Sequence, residues 1–240
     1  MFRMFGKKKN KEVNDERKIV YCEGSSFRVI EAYNRLKDNI LYMSADGKNR
    51  VIQIESASSG EGKSTVVANL AVALGQTAKK VCIVDLDFRK PKTHTFFELS
   101  KEVGISEYMR GEVKKEEIIK HTSYHNVDLV TGGGTIHNSS LILVSEVFKQ
   151  LITWLKGQYD YVLLDCAPVL QISDYIHIAK VSDGVLFVVA YAQTTKAEAQ
   201  EAIKELKRNN INILGSVFAK YDAKEEGDKY YTQYYYKDEE

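Results

Sequence analysis

The segment Ala57-Ser-Ser-Gly60-Glu61-Gly62-Lys63-Ser64-Thr65 carries the residue types needed to hold a run of phosphates. Its spacing is that of G-x-x-x-x-G-K-[ST], with the small residue Ala57 in place of the first glycine. Gly60 and Gly62 let the backbone curl so that several N–H groups converge on anionic oxygens. A helix opening at Lys63 adds the positive end of its dipole. Lys63 is then placed to reach the β- and γ-phosphates, and Ser64 to ligate Mg²⁺. Ser59, Gly60, Glu61, Gly62, Lys63, Ser64 and Thr65 are the expected nucleotide contacts. The bland alternative is a glycine-rich turn with an accidental Gly-Lys-Ser, and the strand expected before it and the helix expected after it argue against that.

Such a site needs carboxylates, and they stand at strand ends. Asp85 closes the apolar run Val81–Val84, Asp87 follows two residues later, and Asp165 closes the run from Tyr161 to Leu164. In a parallel sheet the C-terminal strand ends gather on the edge that carries the ligand. Carboxylates there could hold Mg²⁺ directly or through its waters, because this ion keeps part of its hydration shell. One Asp at a strand end often only begins a loop; two in a chain with Lys63-Ser64 point to the metal. Ser64, Asp87 and Asp165 are the expected metal residues. Arg89-Lys90-Pro91 could clamp a phosphate or an acceptor, or be a solvated loop. Asp174 could sense the γ-phosphate or simply open a helix.

The elements that must position these residues alternate. Phe27, Ile30, Tyr33, Leu36, Ile40 and Met43 recur at helical spacing over residues 25–43. Strands are expected at Val51–Glu55, Val81–Asp85, Val127–Val130, Tyr161–Asp165, Val185–Ala190 and Ile213–Lys220. Helices are expected at Lys63–Gln76, around 95–100 and 114–120, at Leu141–Lys156, at about 173–181 and at Lys196–Arg208. Repeated β-then-α units predict one α/β domain of the P-loop NTPase type, a mostly parallel sheet with helices on both faces. The expected organisation is a basic segment over 1–24, this domain over 25–220 and an acidic tyrosine-rich tail over 221–240.

Composition fits a folded domain: 240 residues, 44% hydrophobic and 28% charged, with 15 Gly and 2 Pro. A net charge of +1 argues against a nucleic-acid partner. The ends differ, with seven basic and three acidic residues in 1–18 and three basic and seven acidic residues in 221–240. Both read as solvated tails, although Lys7-Lys8-Lys9 could add weak attraction to an anionic membrane face. The three cysteines, Cys22, Cys82 and Cys166, have neither metal-ligand nor redox-pair spacing, which fits a reducing compartment. No run approaches the ~18–20 apolar residues of a membrane span, and no signal peptide is legible, so a cytoplasmic location is expected.

The order Ala57–Ser64, then Val-Asp85-Leu-Asp87-Phe-Arg89-Lys-Pro91, then Leu-Leu-Asp165-Cys-Ala-Pro168, resembles the bacterial tyrosine kinases (BY-kinases) of capsule and exopolysaccharide synthesis. The resemblance spans roughly residues 25–220 and extends to the tail. Related partitioning and cell-division ATPases carry an extra lysine near the start of the phosphate loop, where this chain has Ala57-Ser58-Ser59. The resemblance implies an ATP- and Mg²⁺-dependent autokinase whose acceptors are Tyr230, Tyr231, Tyr234, Tyr235 and Tyr236, one subunit feeding its tail into a neighbour's site. It implies Lys63, Asp85 and Asp87 as catalytic residues, with Asp85 at the tyrosine hydroxyl, a division that could be reversed with Asp87. It further implies a membrane-embedded chain-length activator that holds the kinase at the inner face of the membrane, a homo-oligomeric ring when unphosphorylated, and a cognate tyrosine phosphatase. Departures stand beside this. The early Glu-x-x-Arg-x-x-Arg contact pattern reads Glu31, Asn34 and Lys37, Ala219 stands where relatives carry an Asn for the adenine, and no proline follows Gly134 up to Ser140. The competing reading is a nucleotide-switched scaffold or positioning ATPase.

Overall fold

The computed structural model describes residues 19–136 and 138–221; residues 1–18 of the basic segment expected over 1–24, and the tyrosine cluster, lie outside the described residues. The chain runs α1 (Phe27–Met43), β1 (Val51–Ser56), α2 (Lys63–Gly75), β2 (Val81–Asp85), α3 (Thr93–Phe96), α4 (Ile105–Met109), β3 (Ile119–His121) and β4 (Val127–Val130). It continues through α5 (Ser139–Leu143), α6 (Glu146–Gln158), β5 (Tyr161–Asp165), α7 (Asp174–Ile178), β6 (Gly184–Ala190), α8 (Lys196–Arg208) and β7 (Ile213–Ala219). Among the described residues the sheet has seven strands in the order β3-β4-β2-β5-β1-β6-β7. Every pairing is parallel except the antiparallel β3–β4 edge.

A parallel sheet covered on both faces needs strands that are apolar throughout, and β2 and β5 are buried along their whole length. On one face α2 packs Val67, Leu70 and Leu74 with Ile52, Ile54, Ile83 and Leu163 of the strands. Because α1 lies over α2, that helix is buried almost all round, which its run Val-Val-Ala-Asn-Leu-Ala-Val-Ala-Leu permits. On the other face Phe148, Leu151 and Leu155 of α6 cover Val84, Val162 and Leu164. A third cluster joins Tyr175 and Phe187 to Leu206 of α8.

The expected strands and long helices stand, with five differences. The helix expected around 114–120 is a turn followed by the edge strand β3. There Ile118 is fully buried and Ile119 pairs with Val130, so tertiary pairing overrides the helical propensity of Lys-Lys-Glu-Glu. The helix expected over 141–156 is two helices, α5 and α6. Ser145 breaks it: its hydroxyl donates to the Ile142 carbonyl at 2.7 Å and accepts the Phe148 N–H at 3.1 Å, the bond of an N-cap. The helix expected at 95–100 is the single turn α3, ended by Glu98 at φ 54°. The short helix α4 was not legible in the periodicity, and the segment expected as a helix at 173–181 is helical over Asp174–Ile178.

Candidate functional site

The loop between β1 and α2 turns on two glycines in the left-handed region, Gly60 at φ 80° and Gly62 at φ 99°. A side chain is strained at both, so the loop's course depends on them. Gly62 caps α2, which places Lys63, Ser64 and Thr65 in its first turn with their N–H groups unused by the helix. Lys63 is 7% exposed and its Nζ donates to Ser56 Oγ at 3.0 Å, so the ammonium folds back over the loop toward the end of β1. Glu61 is 1% exposed; it accepts from the Ser58 N–H at 3.1 Å and from Thr194 Oγ1 at 2.7 Å. Its side chain therefore braces the loop against the segment after β6. Ser59 and Gly60 are exposed, and Ser64 and Thr65 half-buried.

Register brings the two strand-end carboxylates together: Asp85 of β2 pairs with Asp165 of β5, and Ile54 of β1 pairs with Asp165 on the other side. Both carboxylates are 1% exposed. Asp85 Oδ2 accepts from Thr93 Oγ1 at 2.6 Å and from the Lys92 and Thr93 N–H groups at 3.1 Å each, while Oδ1 takes only the Asp87 N–H at 3.2 Å. Asp87 is half-buried and accepts from the Lys90 N–H at 3.0 Å. Neither oxygen of Asp165 makes a hydrogen bond. Burial pushes the pKa of Asp165 upward, and the charge of Asp85 adds to it, opposed by the nearby Ser64 hydroxyl and by Lys63. Burial raises Asp85 too, against its hydrogen bonds from Thr93.

A buried carboxylate with two unpaired oxygens beside Ser64 fits a divalent cation, since a cation repays the desolvation that the protein leaves uncompensated. Among the described residues no three acidic, His or Cys side chains close into a metal cage of their own. Ser64, Asp87 and Asp165 would therefore hold Mg²⁺ largely through its waters and a phosphate, the mode this ion favours.

A cavity of about 780 Å³ opens beside Gly62 and Thr65, between Tyr33 and Leu36 of α1 and Ala219 at the end of β7. Its size suits a nucleoside next to the phosphate loop. Ala219 lines it and offers no side-chain hydrogen bond. In α1, Asn34 accepts from Tyr21 OH at 2.7 Å and from Lys37 Nζ at 3.2 Å, and donates to Glu31 at 2.9 Å. The altered Glu31-Asn34-Lys37 pattern is thus satisfied within the chain.

Asp174 sits at the start of α7 with both oxygens taken by hydroxyls, Ser139 at 2.7 Å and Ser140 at 3.1 Å. Its role here is to hold α7 to α5 rather than to face a phosphate. Arg89, Lys90 and Lys92 are exposed. Sequence reasoning missed Glu55, fully buried on β1 and pushed up to about 8 by burial, where it accepts from Gln53 at 2.6 Å and leaves its other oxygen unpaired. The signal was present: two polar residues, Gln53 and Glu55, alternate in a strand that a two-sided sheet should make apolar.

The AAA domain family matches residues 49–216. The tyrosine-protein kinase YwqD of Bacillus subtilis is 31% identical over 210 residues, covering 88% of this chain and 89% of that protein. The tyrosine-protein kinase wzc of Salmonella typhi is 31% identical over 207 residues, yet the chain spans only 29% of its length. Among solved structures, the kinase domain of the Escherichia coli tyrosine kinase ETK superposes with a TM-score of 0.75 at 27% identity, covering 80% of this chain and 77% of that one. The chimerical protein CapA2B2 gives 0.79 at 30% identity, covering 83% and 88%. The septum site-determining protein MinD of Pyrococcus horikoshii, solved with Mg-ADP, gives 0.60 at 27% identity, covering 70% and 69%. The chain belongs to the bacterial tyrosine kinases, and it is a protein-tyrosine kinase that uses ATP.

Proposed function

We propose that this kinase transfers the γ-phosphoryl group of ATP to its own C-terminal tyrosines, Tyr230, Tyr231, Tyr234, Tyr235 and Tyr236, each tail entering a neighbouring subunit's site. The observation that carries the reading is the orphaned, buried Asp165 carboxylate in register with Asp85, one edge away from Lys63 and Ser64. The tail itself lies outside the described residues, and its sequence, five tyrosines in seven positions between acidic residues, supports it as the acceptor.

In the transfer, the acceptor Oη–Pγ bond forms as the bond from Pγ to the β-γ bridging oxygen breaks, and ADP leaves. Lys63 turns from Ser56 to the phosphates, and the N–H groups from Gly60 to Thr65 neutralise charge that develops on the transferring group. Asp85 accepts the hydroxyl proton. Its Oδ1, with one long hydrogen bond, has the spare accepting capacity, and burial makes it more basic than an ordinary carboxylate. Mg²⁺, held by Ser64, Asp87 and Asp165, supplies charge neutralisation and alignment of the phosphates when bound.

In the cell we place the kinase at the inner face of the membrane through a membrane-embedded chain-length activator, setting capsular or exopolysaccharide synthesis and export. Phosphorylating several tail tyrosines adds roughly −1.5 to −2 charge each and loosens a ring of subunits, and a cognate phosphatase restores it. Among the described residues no helix is long and apolar enough to cross a membrane. The relatives named as tyrosine kinases, one of them "in cps region" of Klebsiella pneumoniae, support this context. The alternative of a positioning ATPase has weaker support, since the likeness to MinD is lower than that to the kinase domains.

Incubation with ATP, Mg²⁺ and the activator's cytoplasmic segment, followed by peptide mapping, tests the proposal. Phosphate on Tyr230–Tyr236 that disappears in Lys63→Met is expected. Phosphate released only to water, with the tail unmodified, would refute it.

A further inference from the structure

We infer that the loop from Asp87 to Thr93 is a substrate-selecting element, which docks acidic tyrosine segments through Arg89, Lys90 and Lys92. The inference rests on the proposed transfer to tyrosine and specifies the chemistry of the acceptor. The loop follows β2 directly and is strapped to the site by its own backbone. Asp85 takes the N–H groups of Asp87, Lys92 and Thr93 together with the Thr93 hydroxyl, and Asp87 takes the Lys90 N–H. Pro91 fixes one further dihedral inside it. The points from which residues 89, 90 and 92 emerge are therefore set relative to Asp85, the group that meets the hydroxyl.

Three cations leave this short strap exposed, and none makes an ion pair among the described residues. Exposed cations elsewhere are mixed: Lys48 pairs with Asp46, Arg110 with Glu107 and Glu112, and Arg208 with Glu205, whereas Lys101, Lys114 and Lys196 make no ion pair among the described residues; what marks the strap is three such cations within four positions. Phosphate neutralisation already has Lys63 and the loop N–H groups. The strap cations are exposed, and the backbone that carries them is bonded to Asp85 and Asp87. The matching charge is in the same chain: residues 221–240 carry seven acidic and three basic residues around the tyrosine cluster. A second copy's tail is thus the occupant that the charges favour. Contacts at a rim of this kind act on encounter and register more than on tight binding, so they separate acidic acceptors from neutral ones. Each phosphate added deepens the negative charge of the segment.

The test measures phosphorylation of two peptides by the full chain with ATP, Mg²⁺ and the activator's cytoplasmic segment. One peptide has the sequence of residues 224–240, and the other carries Asn and Gln in place of its Asp and Glu. The acidic peptide is expected to have the lower KM. Replacing Arg89, Lys90 and Lys92 together by Ala should raise that KM roughly 3- to 100-fold, the sum of three exposed ion pairs, while KM for the neutral peptide and for ATP stay near their wild-type values. Arg89→Lys should retain most of the preference, and raising salt should erase it. Equal KM values for the two peptides in the wild-type protein would overturn the inference. A rise in KM for ATP as large as that for the acidic peptide would also overturn it, because the cations would then clamp the triphosphate. Phosphate on neither peptide would refute the transfer to tyrosine itself, a failure distinguishable from these two.

Discussion

Replacing Asp165 by Asn should stabilise the metal-free protein while disabling it. Both oxygens of Asp165 are buried without a hydrogen bond, and the carboxylate of Asp85 stands beside it in register. A buried polar group left unsatisfied costs about 1–3 kcal/mol, and more when charged. An amide still loses water at this position, but it carries no charge to desolvate and no repulsion toward Asp85. We expect Asp165→Asn to raise the unfolding free energy in EDTA by about 1–3 kcal/mol. For a chain of this size that is an increase of about 2–12 °C in Tm. The gap should narrow when Mg²⁺ and ATP are added, because ligands that bind the native wild-type protein stabilise it by mass action. Metal affinity should fall about 10- to 100-fold, as for loss of a group that acts through bound water. Denaturant unfolding at neutral pH with and without EDTA gives the first quantities, and Mg²⁺ titration of kinase activity gives the last. Asp87→Asn serves as the control, since Asp87 is half-buried and its loss should leave the metal-free stability nearly unchanged. Equal or lower stability of Asp165→Asn in EDTA would refute the reasoning, for it would mean that Asp165 is already compensated in the free protein.

Gly104→Ala should destabilise the domain by about 1–3 kcal/mol, since a Cβ there would run into the carbonyl oxygen of Thr131 and nothing at that site can give way cheaply; urea unfolding checks it. Glu107 offers a pH test. Burial pulls its pKa upward, but hydrogen bonds from Ser106 and from the Gly104 and Gly134 N–H groups outweigh this and hold it at about 2. Because the folded pKa is depressed, Glu107 contributes stability that is complete above its ordinary value of 4.5 and is lost as pH falls toward about 2. Wild-type and Glu107→Gln proteins should therefore converge in stability across that window when unfolding is followed against pH.

Much of the architecture was legible in the residues alone, for a physical reason. Apolar strands and amphipathic helices carry their period in the sequence, so β1, β2, β4, β5, β6 and β7 and the helices α1, α2 and α8 follow from pattern. The phosphate loop was legible because its function needs particular residue types at fixed spacing: glycines where φ is positive, Lys63 and Ser64 at a helix start. Short elements were not. The edge strand β3 exists because Ile118 and Ile119 find a core and a partner strand, which no local period announces. The break at Ser145 depends on a hydroxyl that local sequence equally allows to face solvent.

What the sequence by itself determined was the inventory: a phosphate cradle, acids at strand ends, a tyrosine-rich acidic tail. Only the tertiary structure decided their relations. Strand order put β5 between β2 and β1, and that register is what sets Asp85 against Asp165 and leaves Asp165 unpaired. It turned Glu61 and Asp174 into braces and gave Asp85 its hydrogen bonds from a loop seven and eight residues away. The reason is that a side chain's charge and spacing are local properties, whereas its burial and its partners belong to the packed sheet.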